Sequence, residues 1–278
     1  MTSTALEQAV EEGRCGDRLW LYATYHCNLA CVYCLTESHP RIARRRAVPR
    51  ERLVELAQQA RELRFRSLGV TGGEVFMLPD MAETLGELGS MLPTVALTNG
   101  TLFTDRLLER LVPLAGLEVA LQVSLDAPDP VRNDTLRGPE NFAKVAASVP
   151  ELVARGITVR IATTVDDQTE EELHELCELH RGWGVPDEHH IVRGIVRRGR
   201  AAIVGMGVDP GPTDILPELT ITADGAFLHP FAPTLRNGVT DLDLLVSRQV
   251  LPLEAAVRRF LGVVADQPAG TDAATRFT

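Results

Sequence analysis

Lysine is almost absent from this 278-residue chain: Lys144 is the only one, and arginine carries nearly all the positive charge. A pyridoxal cofactor needs a suitably placed lysine for its Schiff base, so that chemistry is disfavoured. No run approaches the roughly 20 consecutive apolar residues of a membrane-spanning helix. The N-terminal stretch from Met1 to Gly16 is acidic and unlike a secretory signal. Composition therefore points to the cytoplasm, with no membrane partner. Positive charge is also in deficit, with 28 basic against 38 acidic residues and a net charge of −10. That balance argues against a nucleic-acid binder built on a broad cationic surface. No internal repeat or low-complexity segment interrupts the chain. Cysteine is scarce, five in all, and none follows Cys177.

Three of those five stand together in Tyr25-His26-Cys27-Asn28-Leu29-Ala30-Cys31-Val32-Tyr33-Cys34, a CxxxCxxC spacing. A disulfide with one thiol left over fits poorly with an odd cysteine total and no signal peptide. A structural zinc site completed by His26 or His39 is a rival, although no second CxxC or HxxxH pair exists to complete it. Thiolates also suit iron-sulfur clusters, and three of them leave one metal corner open for other chemistry. Cys15 and Cys177 lie far apart in sequence, and Cys177, in an apolar helical pattern, reads as a small buried hydrophobe.

Apolar runs alternate with helical periodicity, the pattern of βα units around a parallel sheet. Strands are predicted at Trp20–Thr24, Ser67–Thr71, Thr94–Thr98, Leu117–Leu125, Ile157–Thr163 and His190–Val196. Helices are predicted between them at Pro49–Leu63, Met81–Met91, Asp105–Val112, Asn141–Ala154 and Glu170–Gly182. Past Arg200 the regularity ends in a hairpin turning at Ala223-Asp224-Gly225 and a helix from Leu253 to Phe260. The fold class is α/β, a partial (βα)6 TIM-like barrel with a short C-terminal hairpin and helix. Residues 1–17 form an N-terminal extension, 18–205 the core and 206–278 a C-terminal extension. In such folds chemistry gathers beyond the C-terminal ends of the strands. The cysteine loop, Gly72-Gly73-Glu74, Asn99-Gly100 and Ser124-Leu125-Asp126 each follow or end one of the first four strands. Each group alone is an ordinary turn or cap. Together on one rim, beside three thiols, they form a candidate site.

This set resembles the radical S-adenosylmethionine (SAM) superfamily over roughly the first two thirds of the chain. The cysteine loop with Tyr33 before its last cysteine matches that superfamily's signature. Gly72-Gly73-Glu74, Leu97-Thr98-Asn99-Gly100 and Val123-Ser124-Leu125-Asp126 resemble its later motifs. Arg137-Gly138 and Arg198-Gly199-Arg200-Ala201 resemble features of its SPASM/twitch-related branch, which includes peptide-modifying and cofactor-maturing members. The resemblance implies that Cys27, Cys31 and Cys34 ligate one 4Fe-4S cluster whose open iron is chelated by SAM. Gly72 and Gly73 would give the methionine moiety room, Glu74 would orient its amino group, and Ser124 with Arg137 would hold its carboxylate. Tyr33 would offer backbone to the adenine, Ile195 would pack against it, and Asn99 and Asp126 would meet ribose hydroxyls. The implied chemistry is reductive cleavage of SAM to a 5′-deoxyadenosyl radical that abstracts hydrogen from a substrate.

The chain also departs from that branch. Thr222-Ala223-Asp224-Gly225-Ala226-Phe227-Leu228-His229-Pro230-Phe231 resembles the start of a cysteine-rich extension, with Phe231 where a cysteine is expected. A single cluster is therefore predicted. The first strand is predicted to start near Trp20, so no domain that binds a leader peptide is expected before it. These features favour a small, anionic metabolite undergoing decarboxylation, elimination, rearrangement or epimerisation. Arg193, Arg197 and Arg198 are the candidate substrate contacts, because guanidinium forks suit carboxylates and phosphates. Arg41, Arg44, Arg45 and Arg46 read as solvated surface or as a dock for an acidic electron donor such as flavodoxin or ferredoxin. Modification of a ribosomally made peptide is the alternative enzymatic reading. A non-enzymatic alternative is an iron-sulfur electron carrier or metal-binding regulatory protein, but a carrier normally saturates its cluster with four protein ligands.

Overall fold

Six parallel strands lie side by side in chain order, as the alternating apolar runs require. The computed structural model describes residues 2–42, 46–210, 214–236 and 239–266. Its first half runs α1 (Thr2–Glu11), β1 (Arg18–Thr24), α2 (Arg50–Glu62), β2 (Ser67–Gly72), α3 (Met81–Gly89), β3 (Thr94–Thr98), α4 (Asp105–Leu111) and β4 (Val119–Ser124). There follow α5 (Pro130–Arg137), α6 (Asn141–Ala154), β5 (Thr158–Val165), α7 (Glu170–Gly182), β6 (His190–Gly194) and α8 (Arg200–Val204). The C-terminal part contributes β7 (Thr220–Thr222), β8 (Gly225–Phe227), β9 (Leu235–Arg236), β10 (Val239–Thr240), β11 (Leu245–Ser247) and α9 (Leu253–Ala265).

The main sheet has nine strands in the order β11-β8-β7-β1-β2-β3-β4-β5-β6. β1 through β6 are parallel neighbours, which matches a partial barrel with an open edge at β6. The predicted hairpin forms with its Ala223-Asp224 turn and adds to the same sheet, β7 lying parallel to β1 with Trp20 opposite Thr220. Helices cover the outer face. Leu53, Leu56, Ala57 and Ala60 of α2 and Leu85 and Leu88 of α3 are buried at helical spacing.

Several elements were not anticipated, α1 and α5 the longest of them. α1 buries Leu6 and Ala9 and packs against α9, so the N-terminal extension is tied to the other end of the described chain. α5 inserts between β4 and β5. Its start carries ordinary helix signals, the Asp129 side chain accepting from the Arg132 N–H at 2.7 Å and Pro130 opening the first turn. Its buried residues, however, are Asn133 and Arg137. A helix whose inward face is polar leaves no hydrophobic period to read.

Candidate active site

The cysteine loop leaves β1 where Thr24 lies opposite Gly72 and crosses the C-terminal ends of the strands. Cys27 is buried, and Cys31 and Cys34 are half-buried. All three open onto one cavity of about 240 Å³, whose walls include Gly72, Gly73, Ser124, Arg137, Arg193 and Ile195. Backbone bonds fix the loop from below: the Gly73 N–H donates to the Thr24 carbonyl at 2.7 Å and the Glu74 N–H to the His26 carbonyl at 2.9 Å. Arg200 fixes it from the side. Its Nε donates to the Cys31 carbonyl and its Nη2 to the Ser38 carbonyl, both at 2.8 Å, while its N–H reaches the Cys34 carbonyl at 3.0 Å.

The thiols sit in a dry environment. Burial pushes the Cys27 thiol up to about 12, against the opposing pull of the Leu29 N–H, which donates to its sulfur at 3.3 Å. Burial raises Cys31 as well, opposed by the nearby Arg137 cation. Ligation by a metal therefore has to displace protons. A zinc ion about 2.3 Å from each sulfur requires sulfurs within roughly 4 Å of one another. Among the described residues, only Cys177, His180 and His190 bring three such donor atoms within 4.8 Å of each other. The three loop thiols do not form such a group among the described residues. Among the described residues, neither a fourth cysteine nor a histidine lines the cavity.

The rim residues divide into cavity walls and supports. Gly72 has φ +152°, and a Cβ there would lie 2.4 Å from the Thr24 carbonyl oxygen. At Gly73 a Cβ would lie 2.3 Å from the His26 carbonyl oxygen. Both glycines are thus demanded first by close packing against β1 and the cysteine loop, a cause other than the room for a methionine moiety that was expected. Glu74 does not line the cavity. It is fully buried beneath it, with Oε1 accepting from the Phe76 N–H at 3.1 Å and the Thr98 hydroxyl at 2.8 Å, and Oε2 from the Asn99 N–H at 2.7 Å. In this arrangement its carboxylate braces β2 to β3. Asn99 lines the cavity, but its amide is engaged. It donates to Asn28 Oδ1 at 2.9 Å and to Cys27 Sγ at 3.7 Å, and accepts from the Thr101 N–H and hydroxyl at 3.0 and 2.6 Å.

Asp126 is likewise engaged. It is fully buried, and its Oδ1 accepts from the Thr164 N–H at 2.9 Å. Its Oδ2 takes the Arg137 guanidinium at 3.0 Å and the Tyr33 hydroxyl. Tyr33 lines the cavity and thereby gains a second job, linking the loop to this ion pair. Arg137 also reaches the cavity wall, and its buried Nε has no hydrogen-bond partner among the described residues. A carboxylate in the cavity would satisfy that donor, which fits the proposed SAM site.

Of the three candidate substrate arginines only Arg193 lines the cavity. Arg197 turns away to the Gly207 carbonyl, its Nε at 3.1 Å, and to Asp209 at 3.8 Å. Arg198 is a structural clamp, bidentate to Asp243 at 2.9 and 2.8 Å and bonded through Nε to the Thr234 hydroxyl at 2.8 Å. Arg46 is likewise committed, to Asp224 at 2.7 Å and Thr240 at 2.8 Å, whereas Arg44 and Arg45 lie outside the described residues. Phe231, where a cysteine was expected, forms part of the cavity wall beside Pro230. Trp20, Gln122 and Thr164 also line it and were not anticipated. A glutamine inside the otherwise apolar β4, two residues before Ser124, was the signal for the inward face.

A model of the radical SAM superfamily matches residues 21–180. Among curated proteins, the chain is 31% identical over 163 residues to the antilisterial bacteriocin subtilosin biosynthesis protein AlbA of Bacillus subtilis, covering 58% of this chain and 36% of that protein. It is 30% identical over 178 residues to a probable GTP 3′,8-cyclase of Archaeoglobus fulgidus, covering 62% of this chain and 58% of the relative. The chain thus spans roughly a third to three fifths of these relatives' lengths. Among solved structures, anSMEcpe with bound AdoMet superposes with a TM-score of 0.63 at 14% identity, covering 88% of this chain and 76% of that one. That likeness concerns the fold.

Proposed function

This chain belongs to the radical SAM superfamily, whose enzymes use a 4Fe-4S cluster and SAM, and on that premise we propose that it abstracts hydrogen from a small anionic substrate anchored by Arg193. One observation carries the substrate class: Arg193 is the substrate-candidate arginine that shares a cavity with Cys27, Cys31 and Cys34. When bound, the cluster and SAM supply the electron and the 5′-deoxyadenosyl radical, and the rest of the work falls to the protein. Cys27, Cys31 and Cys34 hold the cluster. The orphaned Nε of Arg137, with Ser124 beside it on the wall, holds the carboxylate of SAM. Ile195 and the Tyr33 backbone pack the adenine. Trp20, Leu29, Leu35 and Phe231 make much of the wall apolar and enclose the site, which keeps a radical from reaching the wrong neighbour.

Anaerobic reconstitution with iron and sulfide, followed by SAM and a reductant, should yield 5′-deoxyadenosine. A fully loaded cluster that yields none, with small carboxylic acids and peptides both supplied, refutes the enzymatic reading. With the true substrate, Arg193→Gln should raise KM about 10- to 100-fold, the loss of a charge-assisted hydrogen bond. The KM for SAM should stay unchanged, and Arg197→Ala should behave as wild type. A second reading, modification of a ribosomally made peptide, is favoured by the match to the bacteriocin biosynthesis protein. Turnover of a peptide together with rejection of free carboxylic acids would select it. An electron donor such as flavodoxin or ferredoxin completes the proposed system.

A further inference from the structure

On the outer face of the sheet, away from the cysteine loop, Cys177, His180 and His190 bring their ligand atoms within 4.8 Å of one another. Cys177 and His180 stand three residues apart on α7 and so share one face of the helix. His190 opens β6 and pairs with Ile161 of β5. None of the three lines the cavity described above. Cys177, expected to be a small buried hydrophobe, is half-buried with its sulfur 3.2 Å from His190 Nδ1.

The surrounding hydrogen bonds fix both imidazole tautomers. His180 Nδ1 lies 3.0 Å from the Val185 carbonyl, which can only accept, so Nδ1 carries the proton and Nε2 a lone pair. That Nε2 is buried without a hydrogen-bond partner among the described residues, in a side chain with no solvent exposure. Thr163 spends its hydroxyl proton on the Leu125 carbonyl at 2.8 Å. It must therefore accept from His190 Nε2, also at 2.8 Å, which leaves the lone pair on Nδ1 facing Cys177. The His190 Nδ1 lone pair thus meets the Cys177 thiol at 3.2 Å, and a His180 ring nitrogen lies within 4.8 Å of both, with a carbonyl and a hydroxyl orienting the two rings from behind. Neutral imidazoles oriented by outer hydrogen bonds are the usual arrangement around a bound metal.

We propose that Cys177, His180 and His190 form a second metal site that takes a divalent ion of the zinc class, with water at its fourth position. Binding replaces the Cys177 thiol proton, which leaves to solvent, with one metal-sulfur bond, and no electron moves. The ion cross-links α7 to the start of β6 and is independent of the cluster and of SAM. Among the described residues β6 is the open edge of the sheet, and the ion staples α7 to that edge.

The test uses the full chain with its cluster loaded anaerobically, equilibrated with Zn²⁺, freed of excess metal and assayed for zinc. About one zinc per chain is expected, retained in the Cys27→Ala/Cys31→Ala/Cys34→Ala variant and lost in Cys177→Ala and in His190→Ala. Thr163→Val, which removes only the hydroxyl behind His190, should weaken zinc binding about 10- to 100-fold. Co²⁺ in the wild-type protein should give the intense visible bands of tetrahedral coordination, a readout that needs no variant to fold. Zinc that is absent, that persists in Cys177→Ala, or that disappears with the loop cysteines would overturn the proposal, as would weak, octahedral Co²⁺ bands.

Discussion

Replacing Asp126 with alanine should be among the most damaging single changes outside the apolar core. The carboxylate has no solvent exposure and accepts from Arg137 at 3.0 Å, from the Thr164 N–H at 2.9 Å and from the Tyr33 hydroxyl. Its loss strands a guanidinium whose side chain is only 6% exposed. Removing one partner of a buried ion pair costs about 3–5 kcal/mol, because the other charge stays desolvated and uncompensated. The two further orphaned donors do not add their full cost, since groups in one network are not independent. An exposed pair sets the scale. Arg110 and Glu83, at 34% and 45% side-chain exposure, meet at 2.6 Å, and Glu83→Ala should cost only about 0–1 kcal/mol. Urea unfolding of the apo protein at pH 7 measures both, with the same denaturant slope expected for each variant. Adding Arg137→Met to Asp126→Ala should recover much of the loss, because an apolar pair of similar volume removes the stranded charge. Tyr33 sits between Cys31 and Cys34, so Asp126→Ala should also lower the iron retained per chain, which Glu83→Ala should not. If Asp126→Ala cost less than about 1 kcal/mol and kept its iron, the account of this ion pair as the anchor of the cysteine loop would be refuted.

Gly73→Ala places a Cβ 2.3 Å from the His26 carbonyl oxygen and should cost at least about 2 kcal/mol and empty the cluster site, measured by urea unfolding and iron content. Gly182→Ala, with nothing within 4 Å, should be neutral or stabilising by up to about 1 kcal/mol, and equal effects at the two positions would contradict the packing argument. Burial, with Arg198 and Arg193 beside it, holds the His229 imidazole down to about 3, and its Nδ1 accepts the Phe231 N–H at 3.0 Å. The unfolded chain takes that proton near pH 6.5, so this contribution is complete above pH 6.5. It is lost as pH falls toward 3, by up to about 1.4 kcal/mol per unit. His229→Asn should flatten the decline of stability between pH 6 and 4, and a slope equal to that of wild type would count against the reading. Thr169 closes a capping box with Glu172 at the start of α7, so Thr169→Ala should cost about 1 kcal/mol in the same unfolding assay.

The core strands and the helices between them were legible because each buries apolar residues at its own period. β3, α6 and α7 have the bounds their periodicity predicts, Thr94–Thr98, Asn141–Ala154 and Glu170–Gly182. Where the buried face is polar, the same signal disappears. α5 buries Asn133, whose Oδ1 accepts the Asp126 N–H at 3.0 Å and whose Nδ2 reaches Asn141 Oδ1 at 2.9 Å. Its stability comes from that network and from its Asp129 cap, and neither leaves an apolar stripe. α1 failed for a different reason, since the partner that makes it worth forming, α9, lies at the far end of the described chain.

The site divides along a similar line, between residues inside strands and residues just beyond them. Within a strand, parity decides direction. Gln122 and Ser124 of β4, Ala162 and Thr164 of β5 and Arg193 of β6 all face the cavity, and the register sets Ser124 opposite Ala162 and Thr164 opposite Arg193. Past the strand end parity no longer holds. Asp126 shares the parity of Ser124, yet β4 stops at Ser124 and the chain turns its carboxylate beneath the wall to Thr164 and Arg137. Arg197 and Arg198 likewise follow the end of β6 at Gly194 and swing to Gly207 and Asp243. The cysteine loop lies beyond β1 and was legible for another reason: the spacing of its thiols is itself the chemistry. A residue of this chain can therefore be assigned to the inner face of the sheet from sequence when it lies inside a strand on the parity of Ser124, Thr164 or Arg193, and to the cavity when it also lies near that strand's C-terminal end. Beyond the strand ends its assignment rests on a ligand-spacing motif or on the structure.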